Sequence, residues 1–147
     1  MRRAVLFLAL AASATAAQAQ LLPFLQKRGA PAPVLQGIDA LRADFAAQSG
    51  GTTIYYGAAS VVLGAPAKAS LALQAAWLRR HPEVVVRIEG YGDAGDTRDH
   101  ALAVGARRAE EARDYLLLLG VPAAQVSTTS WGKERPGLGR AVTLLVR

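Results

Sequence analysis

Hydrophobic positions follow three rhythms along the chain. An unbroken apolar run, Ala4 to Ala12, opens it. Helical spacing follows: Val34, Ile38, Leu41 and Phe45 recur every three or four residues and predict a short amphipathic helix over Leu35 to Gln48, ended by Ser49-Gly50-Gly51. Thr53 to Tyr56 is β-branched and aromatic and predicts a strand. Pro66 suits a first helical turn, and the pattern stays helical to about Arg80, where His81-Pro82 stops it. This second helix is apolar on two sides, Leu71, Ala75 and Leu78 on one and Leu73 and Trp77 on the other. It is expected to touch both a sheet and a further element, such as the preceding helix. Val84 to Ile88 is the clearest strand signal.

A polar, glycine-rich loop is expected from Gly90 to Thr97, with Asp96 or Thr97 placed to cap the next helix. In that helix Leu102, Gly105, Ala109, Ala112, Leu116 and Leu119 form one stripe, and Gly120 and Pro122 end it. Gln125 to Trp131 and Ala141 to Val146 supply two closing strands. Strands separated by helices imply an α/β (α+β sandwich) domain, a mixed sheet with two helices packed on it and a short N-terminal helix.

The N-terminal apolar run changes the picture of where the fold begins. Arg2 and Arg3 precede it and Ala17-Gln18-Ala19 follows, the three parts of a secretory signal peptide cleaved after Ala19. The run is shorter than the roughly 20 residues of a membrane span. Residues 1–19 thus read as leader, 20–50 as a Pro/Gly-rich linker and short helix, and 51–147 as the folded domain. Loss of Arg2 and Arg3 lowers the net charge from +6 to +4. The remaining bases are mixed with acids, as in Arg107-Arg108 beside Glu110-Glu111, so no nucleic acid partner is expected. The chain has no cysteine, which excludes thiolate metal sites and a cysteine nucleophile. Read literally, it also leaves no residue for a lipid anchor.

Four groupings bear on chemistry. Gly90-Tyr91-Gly92-Asp93-Ala94-Gly95 matches GxGxxG, but Asp93 would put negative charge where a pyrophosphate should sit, and Glu110 and Glu111 fall inside a helix. His100 near Asp93, Asp96 and Asp99 lacks the ligand count of a zinc site, and Asp is common at helix starts. Ser60, Ser127 and Ser130 sit in no nucleophile elbow. No metal, cofactor or catalysis is expected. Asp93 and Arg108 remain: a loop acid and a helix base that a folded-back helix brings together. Such a pair can hold a zwitterion, carboxylate on ammonium and guanidinium on carboxylate, or form an ordinary surface ion pair worth roughly 0–1 kcal/mol.

Ile54 to Arg147 resembles the OmpA-like domain, particularly its Pal-type branch of peptidoglycan-associated lipoproteins. The resemblance rests on Leu78-Arg79-Arg80-His81-Pro82-Glu83-Val84, Ile88-Glu89-Gly90, Gly105 to Ala109, Asp114-Tyr115-Leu116, Leu119 to Ala123 and Ser130-Trp131-Gly132-Lys133-Glu134-Arg135-Pro136. It implies a βαβαββ fold that binds the peptide stem of peptidoglycan without cleaving it, in the periplasm. It places the diaminopimelate-binding acid and base on Asp93 and Arg108, with Tyr91, Gly92 and Leu102 shaping the site and His100 as a secondary contact. The family's Phe-Asp-Phe-Asp is here Tyr56-Gly57-Ala58-Ala59, and its Tyr-Asn pair is His100-Ala101. These departures support an alternative expectation, a module that joins envelope proteins and no longer holds the wall.

Overall fold

Val86–Tyr91 is the strand on which the rest assembles. The computed structural model describes residues 37–135 and 140–147; the expected leader, linker and first residues of the Leu35 helix lie outside these. The described elements are α1 (Ile38–Gln48), β1 (Thr53–Tyr55), α2 (Ala65–Arg80), β2 (Val86–Tyr91), α3 (Arg98–Leu118), β3 (Val126–Gly132) and β4 (Arg140–Leu145). They form a four-stranded mixed sheet in the order β1-β4-β2-β3. Strand β2 runs parallel to β3 and antiparallel to β4, so Ile88 lies between Thr128 and Thr143, and Glu89 between Thr129 and Val142. Strand alternation then sorts the faces. Val86, Ile88, Val126, Ala141 and Leu145 join the core with α2 and α3, while Arg87, Glu89 and Tyr91 point to the opposite face.

The helix pattern explains most of the packing. Ala67, Leu71, Ala75 and Leu78 bury the core side of α2. Trp77, on its other side, meets Phe45 of α1 edge-on with ring centres 5.1 Å apart, as two-sided apolarity predicts. Leu73 departs from that expectation and is exposed. Trp77 makes the aromatic contact with α1, and Leu73 lies at the margin beside Gly50, just past the end of that helix. Helix α3 starts where Thr97 accepts the His100 backbone N–H, and it ends in a left-handed Gly120 (φ 89°) followed by a Val121-to-Leu116 bond of 3.1 Å.

Two boundaries differ from the sequence reading. Strand β2 begins after Val84 and continues through Gly90 and Tyr91, which are strand and not loop. The buried stripe of α3 is Ala101, Gly105, Arg108, Ala109, Ala112 and Leu116, and Leu102 is excluded from it. One close approach causes both differences. A Cβ on Gly90 would sit 1.8 Å from the Gly105 carbonyl oxygen, and one on Gly92 would sit 2.3 Å from that of Ala101. Strand and helix touch backbone to backbone there, so glycine continues the strand and only Ala101 and Gly105 fit beneath the helix.

Candidate functional site

The same crossing fixes the candidate pair. One residue past the end of β2 at Tyr91 the chain reaches Gly92, and Asp93 follows at the head of the turn into α3. Arg108 lies one turn beyond Gly105 on the helix face pressed to the sheet. Its side chain has no solvent exposure, whereas that of Asp93 is 29% exposed. Arg108 Nη1 and Nη2 donate to Asp93 Oδ1 and Oδ2 at 3.1 and 3.3 Å, a two-pronged pairing of guanidinium and carboxylate. Nη1 also donates to the Tyr91 carbonyl at 2.8 Å, and Nε to the Ser60 carbonyl at 2.8 Å. Asp93 Oδ2 accepts a further bond from the Ala59 backbone N–H at 3.1 Å.

The segment after β1 therefore closes over the pair. Ala59 holds a left-handed backbone (φ 53°), a conformation that costs a non-glycine residue energy and persists only where its surroundings impose it. Tyr56 braces the helix from the same segment, donating its hydroxyl to the Arg108 carbonyl at 2.6 Å. Burial pushes the Tyr56 phenol far above its ordinary pKa, with the Glu111 charge adding to the rise, so it stays a donor at any physiological pH. A shallow, largely apolar groove lined by Tyr55, Tyr56, Ser60, Val62, Leu63 and Pro66 runs along this segment.

Of the residues singled out from sequence, Asp93 and Arg108 meet as expected. Gly92 stands beside them through its backbone. Tyr91 contributes only its carbonyl, because its side chain points to the opposite face of the sheet and donates to Glu89 Oε2 at 2.9 Å. His100 is 65% exposed and lies 3.7 Å from Asp96, away from the pair. Leu102 lines a separate hollow with Trp131, Arg98 and Glu134. Ala59 and Ser60 were not legible as site residues, since they act through backbone atoms that any side chain could carry. Among the described residues no three His, Cys, Asp or Glu side chains form a metal-holding group, and no helix is long and apolar enough to cross a membrane.

Comparison with known proteins agrees with this architecture. A profile of the OmpA family matches residues 55–141. The chain is 43% identical over 86 residues to a peptidoglycan-associated lipoprotein of Agrobacterium fabrum, covering 58% of this chain and 49% of that one. It is 38% identical over 99 residues to one of Pseudomonas aeruginosa, covering 67% and 58%. The chain thus spans about half the length of the first curated relatives it matches. Among solved structures, the peptidoglycan-associated lipoprotein of Burkholderia pseudomallei superposes with a TM-score of 0.63 at 32% identity, covering 65% of this chain and 91% of that one. The C-terminal domain of Helicobacter pylori MotB superposes at 0.58 and 18% identity, covering 64% and 82%, a likeness of fold alone. These names correct one expectation: the relatives are lipoproteins, so the missing cysteine cannot be read as the lack of a lipid anchor. Anchoring is a covalent property outside the packing of a domain, and core composition does not report it.

Proposed function

Because the chain belongs to the OmpA family, we propose that its domain binds the peptide stem of peptidoglycan in the cell envelope without cleaving it. The observation that carries this reading is the Asp93–Arg108 fork at the rim of the sheet. A diaminopimelate end presents an ammonium and a carboxylate on one carbon. Asp93 takes the ammonium and Arg108 the carboxylate, so one internal ion pair is exchanged for two intermolecular ones. No net charge is buried in the exchange, which limits the desolvation that makes buried ions costly. The Ala59–Ser60 segment must give way, since Arg108 is otherwise sealed from solvent. The groups that converge at the pair are a guanidinium, a carboxylate and backbone amides and carbonyls, which suit holding a charged ligand.

The test is co-sedimentation of the protein with purified sacculi. Arg108→Ala is a poor probe alone, because removing one partner of a buried pair destabilises by about 3–5 kcal/mol. Asp93→Asn keeps the shape of the site and removes only the charge. It is expected to weaken sedimentation about tenfold or more, the scale of one charge-assisted bond, and also to lower the thermal midpoint, because the buried Arg108 charge loses its partner. Sedimentation is therefore read well below that midpoint, with circular dichroism as the control for folding. Undiminished binding by both Asp93→Asn and Asp93→Ala would overturn the assignment. A second reading, an interaction module without wall binding, is favoured by the closure of Ala59 and Ser60 over the pair; it predicts no sedimentation of the parent at any salt.

A further inference from the structure

The sheet face turned away from α2 and α3 carries an arrangement that the wall-binding reading does not use. Register places Thr53 and Tyr55 of β1, Arg140, Val142 and Leu144 of β4, Arg87, Glu89 and Tyr91 of β2, and Ser127 and Thr129 of β3 on it. Trp131, at the register shift opposite Gly90 and Tyr91, stands at its edge against Arg135. Glu89 is the one carboxylate among these residues, and its side chain is only 3% exposed. Arg87 Nη2 lies 3.2 Å from its Oε1, and Arg135 Nη1 lies 3.9 Å from its Oε2. Arg140 stands over the Tyr91 ring at 6.0 Å, and Arg135 over the Trp131 ring at 3.4 Å. Two guanidinium groups thus flank a single buried carboxylate and a third stands over the neighbouring Tyr91 ring, which leaves the patch with two positive charges in excess. Donors also outnumber acceptors: of the buried polar atoms here without a hydrogen-bond partner among the described residues, Arg87 Nε, Arg140 Nε and Trp131 Nε1 are donors and Glu89 Oε1 is an acceptor.

We propose that this face docks an acidic segment of a partner protein, its carboxylates pairing with Arg87, Arg135 and Arg140. The guanidinium planes are held by aromatic rings and by Glu89, so little freedom is lost when they donate to a carboxylate in two-pronged fashion. Exposed Tyr55, Leu144 and Val146 give the cationic centre an apolar rim, the composition of a protein contact. A second copy would bring the same positive charge face to face. Residues 20–36 of this chain carry Lys27 and Arg28 and no acid, so they do not complement it either.

The chain's two tryptophans make the test direct, because Trp77 is buried beneath α1 and Trp131 lies at the edge of the patch, under Arg135. The parent protein is titrated at low salt with poly-L-glutamate, and Trp131 emission is followed in a Trp77→Phe background of verified fold. Saturable binding is expected, falling steeply with salt and weakened about tenfold or more by Arg87→Gln with Arg135→Gln. Arg79→Gln with Arg80→Gln, at the end of α2, is expected to leave it unchanged. Equal loss with that distant pair would mean unspecific charge attraction and would overturn the proposal. Binding to vesicles of anionic lipid with none to poly-L-glutamate would overturn it as well. Sacculus binding is read in parallel: Asp93→Asn is expected to affect it and not the poly-L-glutamate titration, so either reading can fail alone.

Discussion

Four of the five N–H groups of Arg108 are spent on Asp93, Tyr91 and Ser60. These three partners could be anticipated only in part. Spacing brought Asp93 and Arg108 together, because a loop acid after a strand and a base on the returning helix share one rim. The carbonyls of Tyr91 and Ser60 were invisible, since a backbone oxygen leaves no mark in residue identity. Tyr91 was misplaced for a related reason: the strand runs three residues further than its apolar run, and alternation sends the ring to the other face. A second residue-scale consequence concerns Asp44. The Trp77 indole N–H donates to it at 2.7 Å, and this bond, reinforced by Gln48, holds its carboxyl below the ordinary range against the opposing effect of burial. A carboxyl depressed on folding stabilises the fold above its unfolded pKa, about 3.9, and loses that contribution as pH falls through the folded value. Asp44→Asn should therefore flatten the decline of the melting midpoint between about pH 5 and 3. An unchanged pH profile would show that the bond carries no linkage.

Elements were legible where periodicity was strong and blurred where two backbones meet. All three described α-helices and all four strands answer to segments predicted from the pattern, with ends displaced by up to three residues, while the 3-10 turn at Ala123–Gln125 was not predicted. The α3 stripe was assigned Leu102 in place of Ala101, because hydrophobicity marks what prefers burial but not how much room there is. At the β2–α3 crossing there is almost none. Gly90→Ala is accordingly expected to do more than ordinary overpacking, which costs about 1–3 kcal/mol. The added methyl meets helix backbone, so α3 must shift and carry Arg108 away from Asp93. Thermal unfolding followed by circular dichroism should show a drop larger than that of Gly57→Ala, where the added carbon meets only the Ser60 side chain at 3.6 Å. Equal drops would mean that the helix accommodates the methyl.

At the level of the molecule, α1 and the sheet share one core. Phe45 is buried against Trp77, and Arg42 donates to the Leu145 carbonyl at 3.3 Å. With Trp131→Phe leaving Trp77 as the sole reporter, denaturation followed by fluorescence and by far-ultraviolet circular dichroism should give coincident curves. A separate early fluorescence change would show α1 to be an independent appendage. The βαβαββ order could be stated from sequence, through strand and helix alternation together with family resemblance. The neighbours of each strand could not be read from alternation, because a period of two says which face a residue occupies and not which strand lies beside it. Strand order has a consequence for timing. Strand β4 lies between β1 and β2, pairing Val142 with both Thr53 and Glu89. A chain delivered N-terminus first therefore holds its sheet in two unjoined pieces until Arg140–Leu145 arrives, and the last strand delivered is the one that locks the domain.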